Sequence, residues 1–162
     1  MVAMSDQHDK RILDNLFSIV SKKKEKANHL QRLTQKQRKF IGSEDIGGLL
    51  KIIDEKEICI KEIDDLDSEF FPIYRDLQKR YESGQLDSQC IVLYKELREN
   101  LQSIRSILNK VYEEDRYNMD SIKDMQGRYA GDIKRIQQGT KRQKAYNQVS
   151  SIDGGVFIDK KQ

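Results

Sequence analysis

Three stretches of this chain carry apolar residues at alternating steps of three and four, and that spacing, held over many turns, admits few folds. The first stretch runs Leu13, Leu16, Val20, Lys23, Ala27, Leu30, Thr34, Gln37 and Ile41. The second runs Ile46, Leu49, Ile53, Lys56, Ile60, Ile63, Asp67, Phe70, Tyr74, Leu77 and Tyr81. The third opens at Tyr94, Leu97, Leu101, Ile104, Leu108 and Val111, meets Asp115 and Asn118, and resumes at Ile122, Met125, Tyr129, Ile133 and Ile136. Each series places its members on one narrow face of an α-helix, since residues three and four apart lie one above the other. The expectation is an all-α, elongated antiparallel three-helix bundle or coiled coil.

Composition favours the same class over an α/β domain. Hydrophobic residues are 36% of the chain and charged residues 35%, with one proline and no tryptophan. An ordinary domain has about 45–50% apolar residues, Gly included, and about 25% charged ones, so a thick two-layered core is excluded and helices with one buried seam are favoured.

Punctuation residues set the helix limits. Ser5 with Asp6 and Asp9 opens the first helix, Gly42 stops it, and Ser43, Glu44 and Asp45 open the second. Pro72 lacks the donor that the helix ladder needs, so a kink or restart is expected near Ser68 to Pro72; Gly84 ends the segment and Asp87 or Ser88 caps the third. The spacing thus predicts helices over about 6–41, 44–82 and 88–138, forming a bundle of residues 1–139, and a flexible C-terminal tail over 140–162. At 1.5 Å per residue the first two helices span about 54 Å and the third about 76 Å, so the last ~20 Å of the third would project past its neighbours. Ile122, Met125, Tyr129, Ile133 and Ile136 would then form an uncovered apolar stripe on a helix weakened by Gly127, Gly131 and Gly139. This stripe is the candidate partner-binding surface, the alternative being that the segment folds back on its own bundle.

Charge and motif content narrow the function. The net charge of +3 conceals basic ends around an acidic middle, with +6 over residues 1–41, −8 over 42–122 and +5 over 123–162. Alternating signs suit helices with complementary faces, whereas a nucleic-acid module is more uniformly basic, and no nucleic-acid partner is expected. Cys59, Cys90, His8 and His29 have no metal-ligand spacing, and the Asp64-Asp65-Leu66-Asp67 run lacks the glycine turn of a calcium loop, so neither metal nor cofactor is expected. No phosphate loop, nucleophile elbow or His-Glu-x-x-His motif is present, which argues against an enzyme. No apolar run approaches the ~20 residues of a membrane span, and Met1 to His8 lack the apolar core of a secretion signal. The expectation is a cytoplasmic protein without membrane insertion.

Two stretches carry a family resemblance. The acidic amphipathic run from Leu50 to Asp67, and the ending Gly155-Val156-Phe157-Ile158-Asp159-Lys160-Lys161, resemble the FlgN-type flagellar export chaperones. The resemblance implies a small helical chaperone that binds hook-filament junction proteins before type III export, holds them through its C-terminal helical region, and delivers them to the export gate protein FlhA. It also implies an aromatic gate contact in or near the tail, for which Tyr146 and Phe157, with Ile158 beside it, both qualify. The alternative is a structural helical-bundle adaptor in which the stripe of the third helix closes a homodimer.

Overall fold

The computed structural model describes residues 2–125, 134, 135 and 137–139, with the side chains of residues 2–6 left aside. Three helices, α1 (Val2–Gly42), α2 (Ile46–Glu82) and α3 (Ser88–Lys123), make an all-α bundle with no strand among the described residues.

The two connections are short because each helix ends in a turn that closes its own carbonyls. After α1, the Asp45 amide donates to Phe40 O at 2.9 Å and the Glu44 amide to Ile41 O at 3.1 Å. This paired arrangement needs a left-handed residue between helix and exit, a place usually taken by glycine. Here it is Glu44, at φ 54°, and not the expected Gly42, which remains inside α1. Asp45 then caps α2 by accepting from the Gly48 amide at 2.9 Å. After α2 the same turn recurs with Gly84 at φ 72° and bonds from Gly84 N to Tyr81 O and Gln85 N to Arg80 O. Asp87 caps α3 through the Cys90 amide at 2.7 Å. Helix α2 runs unbroken through Pro72, so no restart occurs at that residue.

Pairings between helices fix the register. From α1 to α2 they run Asp9–Arg80, Lys23–Asp67, Lys26–Glu62 and Gln37–Lys56, one number falling as the other rises, as antiparallel neighbours require. Tyr81–Tyr94 and Lys56–Asp115 show the same sense between α2 and α3. Helix α1 lies close along both other helices, while α2 and α3 stand further apart. They meet through long side chains, with Tyr94 stacked on Tyr74 and Tyr81 at 5.9 and 4.4 Å between ring centroids.

All nine seam positions expected on α1, polar ones included, are buried. Leu13, Leu16, Val20, Ala27 and Leu30 among them join α2 and α3 residues in a main core that runs through Ile63, Phe70 and Tyr74 to Leu97 and Val111. Cys59 sits in it with its Sγ–H donating to Lys26 O at 3.3 Å, and burial pushes its thiol up from 9.0 to about 11. Because the thiolate is disfavoured in the fold, this group's contribution to stability is complete below the unfolded value near pH 9 and is lost as pH rises through 11. Cys59 and Cys90 should therefore resist a thiol reagent at pH 8 and react at once in denaturant. Rapid reaction of both in the native protein would contradict this packing.

The third helix departs from expectation. It ends at Lys123, not near residue 138, where the Asp124 and Met125 amides donate to Ser121 O and Ile122 O. Residues 134–135 and 137–139 are again helical and lie against α2, where Arg135 faces Asp54 and Gly139 abuts Ile53. A straight continuation would have carried Arg135 about 20 Å beyond Ile122. The projecting stripe is therefore absent at its first two positions, because Ile122 and Met125 are 0% and 4% exposed. The expected tail, 140–162, lies outside the described residues.

Candidate functional site

The end of the bundle where α1 passes into α2 and where α3 stops differs from the rest. Ile41, Leu49, Ile53, Ile122 and Met125 form a second buried cluster there, flanked by Phe40, Ile46 and Leu50. Ile41 comes from the last turn of α1, Leu49 and Ile53 from the first turns of α2, and Ile122 from the last turn of α3, so the cluster forms only when all three ends are in place.

A polar layer lies beside this cluster, while Phe40 packs against both the cluster and the main core. The Lys56 ammonium donates to Asp115 Oδ1 at 2.7 Å and to Gln37 Oε1 at 2.8 Å. Asn118 Nδ2 donates to Thr34 O at 3.3 Å, and the Thr34 hydroxyl donates to Leu30 O at 2.9 Å. All five residues are buried. Burial lowers the Lys56 pKa and raises that of Asp115, each effect opposed by the attraction of the partner. Three polar atoms of the layer, Gln37 Nε2, Asp115 Oδ2 and Asn118 Oδ1, lack a protein partner. A layer satisfied in part adds little net stability but makes every other alignment of the three helices worse.

Beside the cluster, a groove of about 350 Å³ is lined by Arg38, Ile41, Gly42, Tyr117, Ser121 and Met125 among others. Tyr117 is 54% exposed, with the Arg38 guanidinium 4.0 Å from its ring centroid. An exposed aromatic with a cation stacked on it, next to buried Met125, is an amphipathic ledge rather than a catalytic pocket. Among the described residues no group of His, Cys, Asp and Glu could hold a metal ion, and no helix is long and apolar enough to cross a membrane.

Of the sequence-derived site residues, Ile122 and Met125 come together in the end cluster as core members, not as a free surface. Tyr129, Ile133 and Ile136 lie outside the described residues or have no described side chain, and Tyr146, Phe157 and Ile158 lie outside them altogether. Sequence reasoning passed over Lys56, Gln37 and Asp115 as imperfections of three separate seams.

Compared with known families, the chain matches the one described as FlgN protein over residues 4–151. The chain belongs to the FlgN family. The match takes in all of the described bundle except the first residues of α1 and continues past it into the segment that carries Tyr129, Ile133, Ile136 and Tyr146. FlgN proteins are flagellar export chaperones that bind hook-associated proteins, and membership gives this chain that general role. No curated protein and no solved structure matches it.

Proposed function

We propose that this FlgN-family protein is a cytoplasmic chaperone that holds hook-filament junction proteins through the region following α3 and delivers them to the export gate protein FlhA. The observation that carries the reading is where the bundle's own packing ends. The three-helix seam is closed by Met125 against Ile41, Leu49 and Ile53. Tyr129, Ile133 and Ile136 continue the three-four spacing beyond that closure, with Tyr146, Phe157 and Ile158 further on. Ile122 and Met125 then anchor the client-binding region to the bundle, and the residues after them contact the client, whose amphipathic helix buries apolar side chains against them. The tail aromatics supply the gate contact.

Each apolar side chain so buried contributes about 1.5–3 kcal/mol. Tyr129→Ser with Ile133→Ser is therefore expected to weaken the client complex about a hundredfold, with helix content and melting temperature kept. Titration calorimetry against a purified hook-filament junction protein checks this. Unchanged affinity in the double variant would refute the assignment, and a wild-type chain that elutes as a dimer and ignores the client would favour the self-associating adaptor.

A further inference from the structure

The cations on the two sides of α1 differ in what meets them. Lys23 and Lys26, on the flank toward α2, pair with Asp67 and Glu62. Lys22, Arg32, Lys36 and Lys39 are exposed on the side opposite the seam, and none of them has an ion pair among the described residues. With Glu25 and His29 between them they make one ridge at steps of three and four, about 26 Å long at 1.5 Å per residue. From Lys26 to Ser43 the chain holds no Asp or Glu, so no carboxylate of α1 offsets the second half of the ridge. Arg32 and Lys36 lie one turn apart, as do Lys36 and Lys39, a like-charge spacing that weakens a helix. The helix dipole accounts for Lys39, in the last turn, but not for Lys22 or Arg32.

The ridge carries no aliphatic residue and no Phe, Tyr or Trp between Lys22 and Lys39. A protein partner would find no anchor to bury there, whereas a surface of anionic lipid headgroups needs only charge. Being flat, such a surface meets α1 alone. A polyanion that wraps the bundle would also meet the acidic excess of −8 over residues 42–122.

We propose that the outer ridge of α1, formed by Lys22, Arg32, Lys36 and Lys39, holds the bundle lengthwise on an anionic lipid surface without insertion. Charge alone holds it there, so the contact is reversible and salt-dependent. The face belongs to α1 and leaves the chain after Met125 to the client. The full chain is sedimented with vesicles of phosphatidylcholine alone and of equal parts phosphatidylcholine and phosphatidylglycerol. Wild type should bind the anionic vesicles at about 0.1 M salt, bind them less at about 0.5 M, and ignore the neutral ones. Arg32→Glu with Lys36→Glu and Lys39→Glu should lose at least about tenfold in partitioning, and Arg32→Gln with Lys36→Gln should lose less, both with the helix content of wild type. Lys61→Glu with Lys95→Glu and Lys110→Glu, an equal change of net charge at exposed positions on α2 and α3, should stay within about twofold of wild type. Wild type that ignores the anionic vesicles overturns the proposal, even if it binds a DNA duplex. Equal losses in the two triple variants would make the effect one of net charge and overturn it too. Vesicle binding unchanged in the ridge variants would move the contact to other basic residues, such as those that give +5 over residues 123–162, and would also overturn it.

Discussion

Asp115→Ala should cost about 3–5 kcal/mol of unfolding free energy, among the largest effects of any single substitution in this protein. The Lys56 ammonium is buried and bound to Asp115 Oδ1 and Gln37 Oε1. Removing the carboxylate leaves a cation that neither solvent nor the neutral Gln37 compensates. The pair itself need not stabilise the fold, because taking both charges out of water costs about what their attraction returns. Lys56→Met with Asp115→Leu is accordingly expected to be neutral or stabilising, and the double-variant cycle in urea separates the two effects. Lys56→Met alone carries a pH signature. Burial already raises the Asp115 pKa, and losing Lys56 removes the interactions that oppose this. A carboxyl with a raised folded pKa contributes fully below its unfolded value near 3.9 and loses that contribution as pH rises through the folded one. Lys56→Met should therefore recover part of its lost stability as pH is lowered from 7 toward 5. A deficit independent of pH would mean that water reaches Asp115.

Ile122→Ala should cost about 2–4 kcal/mol, and the loss should be local. Ile122 is fully buried among Ile41, Leu49, Ile53 and Met125, a cluster distinct from the main core with the polar layer beside it. Ends that pack in a distinct cluster open as units of their own. Hydrogen exchange in the variant should accelerate at the ends of α1 and α3 and the start of α2, leaving the region of Leu97 and Ile63 at its global value. Leu97→Ala, which removes a fully buried side chain from the main core, should by contrast lower protection throughout. Uniform acceleration in both variants would show that the two clusters unfold as one.

The bundle was legible in the sequence because the three-four spacing is a direct consequence of helix geometry. Every α1 seam residue from Leu13 to Ile41 is buried, as are Leu49, Ile63 and Phe70 on α2 and Tyr94, Leu97 and Val111 on α3. What spacing could not convey is which polar interruptions face one another. Lys23 breaks the seam of α1 and Asp67 that of α2, and they form an ion pair, with Lys23 also 5.5 Å from the Phe71 ring centroid. Gln37, Lys56 and Asp115 look like three flaws and make one layer. The end of α3 was hidden for a different reason. Ile122 and Met125 keep the helical spacing although α3 ends at Lys123, and local periodicity does not record that Arg135 and Gly139 lie against α2. Among the glycines that weaken a continued helix, Gly139 also fits closely against Ile53.

The central claim is that the bundle up to Met125 is a closed scaffold and that the chain after it holds the client. Residues 1–125 keep the end cluster intact, so removing everything beyond them should leave helix content and melting temperature near those of the full chain. Co-purification of the full chain and of residues 1–125 with a hook-filament junction protein is the most direct test. A mixed complex with the full chain that disappears with the truncated one is the predicted result. A truncated chain that folds and holds the client as tightly as the full one would contradict it and place the site on the bundle itself.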